Sequence, residues 1–429
     1  MGRNYKESYF LFCCRNYLGK GGEDIMKKLC FWCRTWNRAD VLKITVSRRA
    51  EEIVKYGLEK DVVIFIIDNQ STDNTPKVLK DLQKKYPFII YWRSPVWKKQ
   101  EEDFDIPEEI LKKVKAEFTW FFGDDDILLK DTLPLVWKII NSEEAKNSII
   151  IHTGHALLKP HSYKVYKGTV WEFANLMGFN QFIGWITSVI FNTKLEEEKK
   201  NFYKKDFFEK IWPKYEKIYN KAAFSYVLKW LHLFTYEKAI VIDYPICEPL
   251  KHSDPKTAER WEKENVGWRY FLFIKGLKLM YQDGILQEKL NPGFFKYLTY
   301  NLWDRFLSEM IASRLGIYTR NPRPSEGWQY ILDIADLIDD LTIAKQIRTN
   351  VYLARELCRE YQILKGKLES ISKQETQLNE KEIQLKKDLE TRVEKIKNTL
   401  LETSKELVQP VFKEGWEGKN YKNLKELRF

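Results

Sequence analysis

Between residues 26 and 157, short apolar runs alternate with longer stretches that mix apolar and charged residues at helical spacing. "KLCFWC" precedes "RADVLKITVSRRAEEIVKYG", "DVVIFIID" precedes "NTPKVLKDLQKKY", and "FIIYWR" precedes "PEEILKKVKA". "FTWFFGD" then precedes "DTLPLVWKIIN", and "SIIIHTGHALL" closes the series. Strands alternating with helices of about ten or more residues predict βαβ units, hence an α/β domain with a Rossmann-like, mostly parallel sheet flanked by helices. Pro107 is placed near the start of its helix and Asp131 for an N-cap.

Residues 158–252 are less regular. They predict a strand or hairpin near "SYKVYKG", a helix at "TVWEFANLM", a strand at "WITSVIFN", helices through "KKDFFEKIW" and "FSYVLKWLHLF", and a strand at "KAIVID". Residues 253–349 read as helical and rich in large side chains. Those side chains suit a helical core, or else a membrane surface met beside the lysines. From 350 the pattern changes: Leu364, Leu368, Ile371, Leu378, Leu385 and Leu389 follow three–four spacing, with Glu375 and Glu382 at two further seam positions. Val393, Ile396, Leu400 and Leu407 continue it after a stutter. The expected organisation is an N-terminal extension at 1–25, an α/β domain at 26–252, a helical domain at 253–349, a coiled coil at 350–410 and a tail at 411–429. The coil predicts a homo-oligomer, with a long helix packed on its own domain as the alternative.

Composition narrows the picture. The 429 residues are 44% hydrophobic and 15% aromatic, enough for a sizeable core. A net charge of +11, spread along the chain, fits an acidic partner such as a nucleotide phosphate or an anionic lipid surface. No zinc-finger spacing or Arg–aromatic helix occurs, so a nucleic-acid partner is not expected. No apolar run has the length of a membrane span and the start lacks a signal core, which predicts a cytoplasmic protein, with peripheral contact at the inner face of the membrane as an extension. "KGGEDIM" fits a purine-rich ribosome-binding site ahead of Met26, making Met26 an alternative translation start. Cys30 and Cys33 lie on one strand, facing opposite sides, so with Cys13 and Cys14 they read as free thiols rather than zinc ligands.

The chemistry sits where the strands end. "RTWNR" follows the first strand, "DNQSTDNT" the second and "GDDD" the fourth, so all three polar clusters fall at the carboxyl edge of one sheet, where open α/β sheets bind ligands. Two ionised carboxylates about 4 Å apart repel by roughly 1 kcal/mol in water and roughly 4 kcal/mol at an effective dielectric near 20, so three adjacent aspartates call for a cation. Asp68 can accept bonds from a base or ribose. Ser71, Thr72 and the backbone amides opening the next helix suit phosphate or other polar oxygens. The aspartates near 125 suit a hard divalent ion that shares its coordination with substrate phosphates.

These segments resemble the family 2 glycosyltransferases of GT-A fold, whose usual patterns are an opening "TYNR", a "DDGSTDGT" loop and a "DxD"-type metal motif. "GWITSVIFNTKL" and "KAIVIDYPICEPLKHSD" are similar to that family's acceptor-side region, nearest the branch that includes abequosyltransferases. The likeness covers residues 28–252; the helical part and the coil lie outside it. It implies a metal-dependent, inverting transferase for surface polysaccharide or glycoconjugate synthesis. The donor would be a nucleotide-diphosphate sugar, the acceptor a saccharide or lipid-linked saccharide, and the cofactor Mg2+ or Mn2+. By the same resemblance Thr35, Asn37 and Arg38 line the nucleotide pocket with Asp68 and Ser71. Asp124 and Asp126 form the DxD pair in one register; in the other Asp125 is the key ligand. Asp125 and Asp126 are favoured as metal ligands, joined by His252 as a late basic residue on metal or pyrophosphate.

Two departures matter. Asn69 and Gln70 replace the second Asp and the Gly of the loop, and Gln70 tolerates positive φ less well than glycine. The "ED" pair that usually supplies the catalytic base is absent from "KAAFSYVLKW". Asp206, Glu209 and Glu172 are then the candidate bases, with His152 and His155 as weaker ones. A coiled-coil scaffold carrying an inactive transferase domain is the alternative function. A sugar nucleotidyltransferase is disfavoured, because no Gly- and Arg-rich phosphate loop follows the first strand.

Overall fold

The structure is a computed structural model that describes residues 26–98, 104–156, 161–177, 180–197, 212–219, 225–250, 266–284, 341–373, 379–406 and 424–428, with 222 and a few positions between 329 and 337. The 1–25 extension with Cys13 and Cys14 lies outside the described residues, as do Asp206, Glu209, His252, Glu375, Leu378 and Leu407. The chain divides into two compact units. One comprises residues up to 216, 229–252 and 420–429; the other comprises 217–228 and 253–419.

The first unit opens with β1 (Lys27–Thr35), α1 (Ala39–Lys55), β2 (Val62–Asp68), α2 (Thr75–Lys85), β3 (Ile89–Arg93), α3 (Glu108–Val114) and β4 (Ala116–Phe121). These are the βαβ units of the apolar pattern. All seven residues of β2 are buried, as a strand covered on both faces requires. Leu42, Val46, Ala50 and Ile53 put the apolar stripe of α1 into the core. Pro107 stands at the N-cap position of α3 as the sequence suggested. Phe31 stacks on Trp120 at 5.0 Å, and Trp120 meets Phe122 edge-on at 5.4 Å.

Next come β5 (Asp126–Leu128), α4 (Leu133–Ile140), α5 (Glu143–Lys146), β6 (Ile150–His155), β7 (Val165–Thr169) and α6 (Val170–Met177). Then follow β8 (Val189–Asn192), α7 (Trp212–Tyr219), α8 (Ser225–Phe234) and β9 (Lys238–Pro249). After the second unit, β10 (Lys425–Leu427) returns to pair antiparallel with β7. The strand order is β10-β7-β9-β6-β8-β4-β1-β2-β3, with β5 paired to β9.

The sheet is mixed rather than mostly parallel. β3, β2, β1 and β4 run parallel, as do β6 and β9, but β8 lies antiparallel between β4 and β6, and β7 antiparallel on β9. The alternation that predicts parallel pairing ends at β6, and the irregular segment after it supplies the antiparallel strands. Asp131 is not an N-cap: it has φ 62° and bonds Lys55 and Tyr56, while Thr132 takes the cap position of α4. Cys30 and Cys33 are buried free thiols, and burial pushes Cys33 up to about 12.

In the second unit the described helices are α9 (Val266–Gln282), α10 (Leu341–Ser372) and α11 (Glu380–Glu406). Over the expected coil the structure describes two helices, one ending at Ser372 and the next beginning at Glu380. Arg392 reaches Glu360 at 2.7 Å, and each lies twelve residues from the hairpin end (372 to 360, 380 to 392). The two helices therefore pack antiparallel within one chain. Leu364, Leu389, Ile396 and Leu400 of the predicted seam are buried. Among the described residues no helix is long and apolar enough to cross a membrane.

Candidate active site

Four parallel strands bring the polar clusters to one edge. β1 and β2 end in register at Thr35 and Asp68, with Arg93 of β3 alongside Asp68. Asn37 takes φ 54° and Gln70 φ 64°, so both loops leave their strands through left-handed turns. Gln70 keeps the backbone that glycine would give, at a cost of about 1 kcal/mol for a residue with a Cβ. Its side-chain amide donates to the Ser94 carbonyl. Asn69 holds the Lys98 backbone at two points, donating to its carbonyl at 2.7 Å and accepting from its amide at 2.8 Å. An aspartate could not make the donated half of that pair.

The first two loops interlock. The Asn37 amide donates to Ser71 Oγ at 2.8 Å, and Asn37 Oδ1 accepts from the Thr72 amide at 2.6 Å. Asp68 is fully buried: Oδ1 accepts from the Ser71 amide at 2.8 Å and Oδ2 from the Tyr91 hydroxyl at 3.2 Å, with Arg93 Nε at 3.9 Å. Its carboxylate is turned inward to hold the loop.

The aspartate turn closes on the same loops through Asp124 and Asp125, while Asp126 turns the other way. Asp124 Oδ2 accepts from Thr35 Oγ1 at 2.8 Å. Arg38 bridges Asp124 at 3.6 Å and Asp125 at 2.8 Å. Asp126 is buried at the start of β5 and accepts from the Thr187 hydroxyl. Thr187 Oγ1 also takes the Gly123 amide at 2.7 Å. Gly123 has no room for a side chain: a Cβ there would stand 3.1 Å from Asp126 Cγ and 3.2 Å from Thr187 Oγ1. Beneath the turn, the fully buried Arg49 lies over the Phe122 ring at 4.3 Å and donates to the Thr45 carbonyl at 3.1 Å. Thr45 in turn donates to the Asp124 carbonyl at 2.8 Å.

These surroundings set the charges. Burial pushes the Asp124 carboxyl above its usual range against the pull of Arg38, and the Asp125 charge adds to the push. Asp126 is pushed up to about 7, by burial first and then by the Asp125 charge. Burial pulls Arg49 down, opposed by Cys33 and by the charges of Asp126 and Asp124. Among the described residues no three His, Cys, Asp or Glu side chains converge as a metal cage. The donor set fits a hard divalent ion held by one or two carboxylates and completed by substrate phosphates.

Residues 34–188 match the family model described as glycosyl transferase family 2. The chain carries a family 2 glycosyl transferase domain. A curated relative, abequosyltransferase RfbV of Salmonella typhimurium, is 29% identical over 116 residues, covering 27% of this chain. That match spans only 33% of the relative's length. Among solved structures, S. aureus TarS 1-349 in complex with UDP-GlcNAc is 14% identical, with 77% of this chain and 87% of that chain covered, at TM-score 0.46. A mannosyltransferase, PcManGT of Pyrobaculum calidifontis in complex with GDP-Man and Mn2+, is also 14% identical, with 77% and 81% covered, at TM-score 0.39.

Within the family 2 domain the structure gathers Thr35, Asn37, Arg38, Asp68, Ser71, Asp124, Asp125 and Asp126 at one sheet edge. Glu172 is not among them. Thr169 pairs with Lys238, the first residue of β9, so Glu172 stands at the opposite edge, where β6 and β9 begin. There it caps its own helix: Glu172 Oε2 accepts from the Thr169 amide at 2.7 Å, and the Glu172 amide donates to Thr169 Oγ1 at 3.1 Å. "TVWE" is a capping box. His152 is buried, with Nδ1 2.8 Å from the Phe182 carbonyl. His155 lies against Trp185 at 3.7 Å between ring centres.

Sequence reasoning missed Thr187, Gly123 and Arg49. Arg49 was findable: it falls seven residues after Leu42 and four before Ile53, on the apolar stripe of α1.

Proposed function

We propose that the chain is a glycosyltransferase that moves a sugar from a nucleotide-diphosphate sugar to a saccharide or lipid-linked acceptor with inversion, in surface polysaccharide or glycoconjugate synthesis. The reading rests on one observation: the three strand-end loops lock together around the Asp124–Asp126 turn at the carboxyl edge of the sheet, inside the segment matched by the family model. The abequosyltransferase likeness supports transfer of a sugar.

In this reading Thr35, Asn37 and Arg38 border the nucleotide, and the amides opening α2 serve the loop instead, those of Thr72 and Asp73 bonded to Asn37 and that of Thr75 to Asp73. Asp125 and Asp126 hold Mg2+ or Mn2+, with His252 as a further ligand. The ion supplies charge neutralisation at the diphosphate leaving group. The Arg38 guanidinium bonds the Asp125 carboxylate at 2.8 Å, so Asp125 would exchange that bond to hold the ion. The acceptor hydroxyl displaces the diphosphate from the anomeric carbon and gives its proton to Asp206 or Glu209, since Glu172 is committed to its cap.

Titration calorimetry with UDP-, GDP- and dTDP-sugars, with and without Mn2+, tests the proposal. Binding of at least one donor, tightened by the ion, is expected. Absence of nucleotide binding under every condition would refute it.

A further inference from the structure

We propose that the bulged edge of the sheet beside Asp126 carries an aromatic platform for the ring of the acceptor sugar, built from Tyr163, Tyr244 and Trp185. The proposal rests on the transferase reading above and names the surface that reading lacks.

The platform begins with a break in strand pairing. β6 and β9 run in register from Ile150–Ala239 to Thr153–Ile242 and then shift, so that His155 pairs with Cys247 and the four residues 243–246 stand against Gly154 alone, three more than the register needs. Gly154 permits this close crossing, because a Cβ there would come within 3.1 Å of the Ile242 carbonyl and press on that of Tyr244. Bulges re-aim side chains and are common beside active sites.

Tyr244, on the extra segment, is half-buried and meets Tyr163 edge-on at 5.6 Å between ring centres. Tyr163 is 60% exposed and has φ 56°. A bulky residue in the left-handed region is a true outlier, and such strain gathers at functional sites. It is held there by buried Asp243, whose carboxylate accepts from the Ser162 amide at 2.8 Å and lies 3.3 Å from His161 Nδ1. The Asp243 carbonyl accepts from the Tyr163 amide at 3.1 Å. Five groups of one loop and one strand thus hold an exposed tyrosine in an unfavourable backbone.

The platform borders the aspartate turn. Trp185 is half-buried against His155, and two residues later Thr187 bonds Asp126. Cys247 stands opposite His155 on one side and Leu128 on the other, two residues from Pro249, the partner of Asp126. A pyranose presents a face of C–H groups with hydroxyls at its rim. Aromatic faces with polar tips, such as tyrosine and tryptophan, match that pattern, and a flat acyl surface would not need the tips.

The test uses saturation-transfer NMR on the full chain with methyl glycosides of glucose, galactose, mannose and N-acetylglucosamine, alongside UDP, GDP and dTDP. Tyr163→Asn removes the ring but suits the left-handed backbone, and Tyr163→Phe keeps the ring. At least one glycoside should bind the wild type and Tyr163→Phe, and bind Tyr163→Asn about tenfold more weakly, with nucleotide binding unchanged in all three. Absence of glycoside binding to the wild type, or binding undiminished in Tyr163→Asn/Tyr244→Ala, would overturn the platform alone while a nucleotide still binds. Failure of every nucleotide to bind would bring down the transferase reading with it.

Discussion

In the proposed reading Asp126 is the residue on which the site turns, because its neighbours are arranged for its shape as well as its charge. The Thr187 hydroxyl bonds it, and the gap left by Gly123 admits it. Replacing it with asparagine keeps the volume and an acceptor for Thr187, and burial already disfavours the ionised form. Asp126→Asn should therefore keep its melting temperature while nucleotide release from donor falls by about 100-fold or more; retained release would move the key carboxylate elsewhere. Gly123→Ala tests the shape itself. Its added methyl has nowhere to go between Asp126 and Thr187, so we expect a loss of stability of about 1–3 kcal/mol by urea titration together with lost turnover. The aspartates were legible in the sequence because like charges crowd together only for a reason. Thr187 was not, since its partner lies 61 residues away and an isolated threonine in an apolar stretch gives no local signal. Arg49 was hidden by its neighbours: "SRRAEE" reads as a solvated helix face until the positions of Leu42 and Ile53 are counted around the helix.

At the scale of elements, long periodic segments came through and short ones did not. β1, β2 and β4 have apolar runs that only a doubly covered strand explains. β5 and β10 are three residues each, and both exist because distant strands offer an edge: β9 for Asp126–Leu128 and β7 for Lys425–Leu427. Nothing local forecasts such pairings. The opening of α6 shows how an element can imitate a site. Glu172 follows Thr169 by three residues, the spacing of a capping box, so one acid can be read as either a base or a cap. The hydrogen bonds to the Thr169 amide and hydroxyl decide for the cap. Glu172→Ala should cost about 1 kcal/mol in chemical denaturation and leave turnover within about twofold of wild type. A fall in turnover of about 100-fold or more at unchanged stability would return Glu172 to the catalytic candidates.

At the scale of the whole molecule, the heptad pattern identified helices that need an apolar partner but could not say whose. A leucine seam is satisfied equally by a second chain and by a turn back on itself. Within the one chain, the helix ending at Ser372 and the helix beginning at Glu380 run antiparallel, with Arg392 beside Glu360. Buried Leu364, Leu389, Ile396 and Leu400 are then used within one chain. Cysteines at 360 and 392, introduced as Glu360→Cys and Arg392→Cys in the full chain, distinguish the two. A short bismaleimide should join them within a single polypeptide, so the linked protein runs as a monomer on a denaturing gel at every concentration. Cys13 and Cys14 are replaced by serine in the same chain, and the remaining native thiols at Cys30, Cys33, Cys247 and Cys358 are buried and should not compete. A covalent dimer whose yield rises with concentration would show that the seam is shared between chains, and the oligomer expected from the heptads would replace the hairpin.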